Sequence, residues 1–308
     1  MRIALFVARR LGRLVLTVMV IATVVFFVLR VIPGDPAANI AGLDTADADL
    51  AAMRVRLGVD RPLAIQYLDW LFDSLRFDFG TSYFSGQPAM EMILQRFPLT
   101  LTIAGLGFVF SLVVAIPLGV ASAVRKWSAV DYLGMVYSQL GMAIPGFWLG
   151  IMLLIAFAVR LPWFPLFGAD SARHLVLPAV ALGVGQSALL TRYVRQSVLD
   201  ELDKDYITTA RAMGLPSRSI LYRHALRNAL LPIITIAGIQ LGAMLGGAII
   251  IEQVFSIPGL GRVLLSAIRQ RDFAVVQAGV VVVAVSYSIV NFIADLLYAV
   301  ANPRMRVA

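Results

Sequence analysis

Asp205-Tyr206-Ile207-Thr208-Thr209-Ala210-Arg211-Ala212-Met213-Gly214-Leu215-Pro216, continued by Ser217 through Arg223-His224-Ala225-Leu226-Arg227-Asn228-Ala229-Leu230-Leu231-Pro232, is the longest polar, basic interruption in the second half of an apolar chain. Its first part reads as a short helix. Asp205 stands at the start, where the positive end of the helix dipole favours a carboxylate. Thr208, Ala210 and Ala212 keep much of its surface small. Gly214 suits the left-handed residue that ends a helix, and Pro216 blocks simple continuation. Ser217 is expected to cap a second helix. Helix, sharp bend and helix would present a small-surfaced knob to the groove of a partner. The competing reading is an amphipathic helix lying on lipid head groups, which requires neither the bend nor the Ala/Thr face.

Outward from this stretch the chain looks like membrane. Of its 308 residues, 60% are hydrophobic and only 14% charged, the composition of an all-α integral membrane protein. The net charge of +8 comes from residues that flank apolar runs rather than from a soluble basic patch, so they read as topology signals and not as nucleic-acid contacts. The absence of cysteine excludes disulfides and thiolate metal sites, and His174 and His224 are too few for a histidine metal centre. No G-x-x-x-x-G-K-[ST] loop is present, so if ATP drives this protein another chain hydrolyses it.

Six spans are expected. Arg9, Arg10 and Arg13 precede an apolar run from Leu14 to Leu29, which has no small-residue cleavage site after it and reads as an uncleaved first helix. Arg30 can snorkel to the far interface. Pro33-Gly34-Asp35-Pro36 stops that helix. A polar segment then runs to about Phe97, and within it Ala64, Tyr67, Leu68, Leu71 and Leu75 recur at helical spacing. With Tyr67 and Trp70 this reads as an amphipathic helix at the outer interface. The later spans are Pro98 to Val124, where Pro117 can introduce a kink, and Tyr132 to Val159, broken by Gly141 and Pro145-Gly146. His174 to about Thr191, Ile233 to Val254 and Val275 to Val300 complete the set. Residues 1–97 thus form a first helix plus outer segment, and residues 98–308 a five-helix core with a loop at about 198–232. The segments assigned to the inside carry fifteen Arg and Lys against five acids, and those outside eleven against twelve, which places both termini in the cytoplasm.

Polar and small residues inside the spans have paired readings. Gly238, Gly242 and Gly246, with Gly247 beside them, make a smooth face for close helix packing, or line a substrate path. Gln139, Gln186 and Gln240 either line a path or act as interhelical hydrogen-bond glue. Ser288, Asn291, Asp295 and Tyr298 form one stripe, in which Asn291 is a further path candidate. Asp295 lies near the inner interface and is expected to pair with a nearby Arg such as Arg304.

The loop at 205–232 resembles the coupling loop of ABC importer permeases, and more narrowly that of the dipeptide/oligopeptide/nickel family. Arg223 to Pro232 fits that branch throughout. Thr208-Thr209-Ala210 replaces the general Glu-Ala-Ala, and the Gly-to-Leu-Pro distance is longer, both usual for the branch. Four further stretches follow the family in order: Pro33-Gly34-Asp35-Pro36; Leu57-Gly58-Val59-Asp60-Arg61-Pro62; Asp78-Phe79-Gly80-Thr81-Ser82; and Glu252-Gln253-Val254-Phe255-Ser256-Ile257-Pro258-Gly259-Leu260-Gly261. The tail from Asp295 to Arg306 does the same. Phe77 stands where Gly is common, and Asn302 replaces the common Asp.

The resemblance implies the type I ABC importer permease fold with six transmembrane helices, an extracytoplasmic segment after the first and a cytoplasmic coupling helix. It implies the B-type subunit of a peptide, nickel-chelate or glutathione importer in a bacterial inner membrane, working by alternating access. The implied partners are a second homologous permease in a heterodimer, two ABC ATPases, an extracytoplasmic solute-binding protein and the lipid bilayer. ATP and Mg would sit on the ATPases, and this chain would bind no cofactor or metal and catalyse nothing. Asp205, Tyr206, Thr208, Thr209, Ala210, Arg211, Ala212, Gly214 and Leu215 would transmit the ATPase motion. The alternative is an ion-coupled secondary transporter, which predicts an inverted repeat and ion ligands at mid-membrane.

Overall fold

The computed structural model describes residues 2–31, 36–41 and 46–301. Pro33-Gly34-Asp35 and the tail Asn302–Arg306, both singled out in the sequence, lie outside the described residues.

The described chain is almost wholly helical, as lipid demands of a backbone that has no water to bond. Helix α1 (Arg2–Val31) is followed by the short α2 (Pro36–Ala41), α3 (Asp47–Leu57) and α4 (Leu63–Leu75). Next come α5 (Ala89–Val124), α6 (Ala129–Ala143), α7 (Gly146–Leu153) and α8 (Ala172–Leu202). The second half contains α9 (Asp205–Ala212), α10 (Ser217–Ser219), α11 (Leu226–Val254), α12 (Leu260–Gln270) and α13 (Phe273–Ala301). Among the described residues five helices are long and apolar enough to cross a membrane, and α6 with the α7 segment makes a sixth when that bent pair is counted as one span. The pair bends by 99°. Ile144, the residue before Pro145, is forced into an extended conformation (φ −84°, ψ 119°), so α6 ends there and α7 starts afresh behind Pro145. Two π-helical turns, Leu154–Arg160 after α7 and Ile220–Ala225 before α11, carry no signal that sequence reading detected.

The chain folds as two compact units. One comprises Leu101–Ile257 with the end of α13 from Ile289, and α8 is its centre, packed on α6, α7 and α11. Leu190, Val194 and Val198 of α8 meet Ala115 and Ala123 of α5 and Ala229 and Ile233 of α11 in a buried cluster. Small residues set the spacing. A Cβ on Gly183 would come within 2.6 Å of a Phe110 ring carbon and 2.7 Å of the Gly107 carbonyl, and one on Gly119 within 2.7 Å of Val194. Polar side chains bind the α6–α8 seam: Tyr137 hydrogen-bonds Ser187, and Asp131, fully buried, takes a two-pronged contact from Arg195 (Nε–Oδ1 2.5 Å, Nη2–Oδ2 2.8 Å).

The other unit comprises Leu5–Thr100 and Pro258–Ser288. Pro258–Ser288 thus belongs to the same compact unit as the N-terminal segment. Phe26 and Phe27 of α1 meet Tyr67 and Trp70 of α4 with ring centroids 5.1 to 5.4 Å apart, and the Thr23 hydroxyl lies 3.0 Å from that of Tyr67. The packed side of α4 is therefore the Tyr67/Trp70 side. Leu68 and Leu75, expected on the same stripe as Tyr67, are exposed together with Phe72. Helix α12, also unforeseen, buries Leu260, Leu264 and Ala267, and the Leu260 N–H donates to the Thr100 hydroxyl at 2.9 Å.

The Asp78–Ser82 stretch forms a compact turn. The Asp78 carboxylate accepts from the Gly80 N–H at 2.9 Å, and the Ser82 hydroxyl accepts from the Phe84 and Ser85 N–H groups at 3.3 and 3.2 Å. Just before it, Phe77 is left-handed (φ 62°) with an exposed ring. That conformation is one a glycine, the residue implied there by the family resemblance, adopts without strain. A left-handed backbone costs a side-chain-bearing residue roughly 1–2 kcal/mol, and the exposed ring contributes little packing. Phe77→Gly is expected to stabilise the protein by about 1 kcal/mol, part of the relief being offset by the entropy of glycine. Denaturant unfolding of the purified protein checks this, and a lower midpoint would show that the Phe77 ring contributes more packing than the relieved backbone strain is worth.

Candidate functional site

The segment that leaves the end of α8 and returns into α11 is a clasp around one buried carboxylate. Glu201, in the last turn of α8, is buried. The Tyr206 hydroxyl donates to its Oε1, and the Lys204 ammonium reaches its Oε2 at 2.5 Å. Asn228 of α11 donates its amide N–H to the Tyr206 oxygen at 3.1 Å, and the His224 carbonyl lies 3.4 Å from the same oxygen. Burial, followed by the adjoining Glu201, raises the Tyr206 phenol above its ordinary range, so it stays a neutral donor. Three elements are tied together here, and α9 takes its position from them.

Apolar packing completes the mount. Ile207, fully buried, and Ala210 sit among Ile220, Ala225 and Leu202. Helix α9 starts at Asp205 and ends in a Schellman turn: the Gly214 N–H bonds the Arg211 carbonyl at 3.0 Å, and the Leu215 N–H bonds the Ala210 carbonyl at 3.2 Å. Gly214 has φ +76° and open space around it. Ser217 does not cap the next helix, as was expected. The cap position belongs to Pro216, whose extended backbone (φ −65°, ψ 141°) starts the turn, and Ser217 makes no capping bond.

Of the nine residues expected to transmit motion, Asp205, Tyr206, Thr208, Thr209, Arg211, Ala212, Gly214 and Leu215 are exposed, and Ala210 faces inward. Sequence reading missed the residues that hold the clasp, Glu201, Lys204, Ile207 and Asn228, and also Met213, whose side chain is 75% exposed at the tip. The i,i+5 spacing of Glu201 and Tyr206 was the available signal, but the turn at Asp203-Lys204 between them hid it.

The membrane-polar candidates are only partly joined. The Gln240 amide N–H donates to the Gln186 backbone carbonyl at 3.4 Å, which links α11 to α8. Its Oε1 is buried and unpartnered. Gln139 is exposed on α6, and Gln186 and Asn291 are half-buried. In the glycine row, Gly238 and Gly242 are buried, and a Cβ on Gly238 would overlap the Ala294 methyl of α13. Gly246 is exposed with nothing within 4 Å, and Gly247 would place a Cβ 3.0 Å from Leu182. Asp295 is half-buried, and its suggested partner Arg304 lies outside the described residues.

Residues 115–307 match the binding-protein-dependent transport system inner membrane component family, and residues 3–104 match the N-terminal membrane component of the same systems. The chain belongs to this family. It is a permease subunit of an ABC importer, a multi-pass inner-membrane transport protein rather than an enzyme. The ion-coupled alternative falls with that membership. The permease is 38% identical over 301 residues to the glutathione transport system permease protein GsiC of Salmonella typhimurium strain LT2, covering 98% of each chain. It is 40% identical over 291 residues to the oligopeptide transport system permease protein AppB of Bacillus subtilis strain 168, covering 91% of this chain and 92% of that one. Its fold is that of the inward-facing MetNI methionine ABC transporter permease, with a TM-score of 0.56 at 19% identity over 69% of this chain and 97% of that one.

Proposed function

We propose that this permease carries short peptides, glutathione among them, as the B-type half of a heterodimeric importer. The observation that carries the substrate class is the end-to-end identity of 38% and 40% to glutathione and oligopeptide permeases. In this reading the partners are a second, related permease, two ABC ATPases that hold ATP and Mg, and an extracytoplasmic binding protein that delivers the peptide. This chain binds no cofactor. The exposed face of α9 docks in an ATPase groove, and closure of the ATPases pulls it so that the spans alternate between outward and inward access. The clasp on Glu201 supports the reading, because a helix that transmits force must be tied to the spans behind it. The complex reconstituted with its cognate binding protein is expected to take up labelled glutathione or oligopeptides only when ATP is enclosed with the ATPases. Failure of every peptide tried, with another solute carried, would overturn the substrate class.

The direction of the reading requires both termini in the cytoplasm. The chain has no cysteine, and Ser85 and Ser217 are both exposed, so each can report alone. An impermeant thiol reagent added to intact cells is expected to label Ser85→Cys and leave Ser217→Cys untouched. Labelling of Ser217→Cys from outside would reverse the orientation.

A further inference from the structure

The unit built from α1, α4, α12 and the start of α13 contains a cavity of about 750 Å³ for which neither the permease fold nor the transport reading supplies an occupant. Arg30 of α1, Trp70 of α4, Tyr83 and Gln277 of α13 line it. The unmatched groups among them are donors. Gln277 is 4% exposed and its Nε2 has no partner, and the indole N–H of Trp70 is buried and likewise unpartnered. Leaving such groups dry and unbonded costs on the order of 1–3 kcal/mol each. The Arg30 guanidinium sits 3.5 Å over the Phe26 ring, and among the described residues it bonds only neutral acceptors, the Gln66 side-chain oxygen at 2.8 Å and the Phe26 carbonyl at 3.3 Å. Burial pushes the Tyr83 phenol up to about 12, so it too remains a neutral donor.

The remaining charge on the lining has the opposite sign. Arg61 is taken up by Asp69 at 3.2 Å. Asp73 and Asp78 also line the cavity, adjacent to each other through the Asp78 N–H to Asp73 carbonyl bond at 3.0 Å, and among the described residues neither has a cation within ion-pair distance. Among the described residues, a cation without a counter-charge beside neutral donors, and a pair of carboxylates without cations, match a ligand that carries an oxyanion and an ammonium together. Arg30 lies in the last turn of a membrane span, which sets the depth at the head-group layer. Val24, Phe27, Val28 and Val31 of α1, and Leu68, Phe72 and Leu75 of α4, are exposed apolar side chains on the two helices that contribute Arg30 and Trp70, where acyl chains can lie.

We propose that this cavity holds the headgroup of an aminophospholipid, with its phosphate on Arg30, Trp70 and Gln277 and its ammonium towards Asp73 and Asp78. The test uses the full-length permease in its purified transport complex, stripped of lipid and titrated with phosphatidylethanolamine or phosphatidylglycerol, with retained lipid read by native mass spectrometry. The wild type is expected to hold phosphatidylethanolamine at least tenfold more tightly than phosphatidylglycerol. Gln277→Glu places a negative charge against the phosphate and is expected to weaken retention at least tenfold. Trp70→Phe keeps the ring stack while deleting one N–H, and a several-fold loss is expected, so the proposal stays testable if Gln277→Glu misfolds. Asp73→Asn is expected to erase the preference for the ethanolamine headgroup without abolishing binding. Equal retention of the two lipids by the wild type, or wild-type retention in both Gln277→Glu and Trp70→Phe, would overturn the proposal. Displacement of the lipid by inorganic phosphate alone would assign the site to a free oxyanion, and displacement by a dipeptide to a soluble zwitterion. Either result would remove the lipid from it while leaving the transport reading intact.

Discussion

Gly214→Val is expected to leave the permease at near-normal levels in the membrane and to abolish transport, with ATP hydrolysis no longer stimulated by the loaded binding protein. Gly214 has φ +76°, and a Cβ added there would meet no atom within 4 Å, so space is not the obstacle. The obstacle is the backbone. A β-branched residue there carries strain on the order of 1–3 kcal/mol, which the segment can escape by unwinding the Schellman turn formed through the Arg211 and Ala210 carbonyls. Unwinding would move Met213 and Leu215 and the exposed face of α9, while the Glu201 clasp and the spans stay intact. Gly214→Asn is the control, because asparagine tolerates the left-handed region, and it should retain most of the stimulation. Binding-protein-stimulated ATP hydrolysis in reconstituted vesicles is the measurement. Full stimulation with Gly214→Val would remove α9 from the coupling role.

Asp131→Ala should have the largest effect on stability. Its carboxylate is fully buried between α6 and α8, holds Arg195 by two bonds and also accepts from the Trp127 N–H at 3.0 Å. Removing it leaves a guanidinium whose side chain is only 17% exposed without its counter-charge. Breaking a buried pair from one side typically costs about 3–5 kcal/mol, whereas replacing both partners by apolar groups is far less costly. Asp131→Ala is therefore expected to lower the thermal midpoint of the solubilised complex sharply, and Asp131→Ala combined with Arg195→Leu to recover much of the loss. A single variant as stable as the wild type would mean that water reaches Arg195 and the seam is held by the Tyr137–Ser187 bond and the close helix contact instead.

Much of the architecture was legible because lipid imposes a simple rule on sequence. A backbone with no water to bond must be helical, so apolar runs mark spans, and proline and glycine mark their breaks. The break at Pro145-Gly146 was read this way, although its 99° angle was not. The ends of α9 were equally readable, since Asp205 and Gly214 act locally through the helix dipole and a left-handed backbone. The error at Ser217 has the same local origin. A hydroxyl residue after proline looks like a cap, but Pro216 already supplies the extended backbone and Ser217 falls inside the helix.

Apart from the local Glu201, Lys204 and Tyr206 contacts, what sequence reading missed joins residues distant along the chain. Asp131 meets Arg195, Gly183 meets Phe110, Asn228 meets Tyr206, and Leu260 meets Thr100. None of these residues has an unusual neighbour in sequence, and their meaning lies in which helix faces which. The α4 stripe shows the ambiguity most clearly. Tyr67 and Leu68 are equally good apolar positions, and only the aromatic rings of α1 decide that Tyr67 turns inward and Leu68 outward. The sequence by itself determined the membrane class, the places of the apolar runs that become spans, and the position of the polar segment at 205–232, because each follows from hydropathy and local backbone preference. Only the tertiary structure decided which side of that segment is free, what ties it to the spans and where a cavity with unmatched donors lies, because these depend on contacts that close over tens to hundreds of residues.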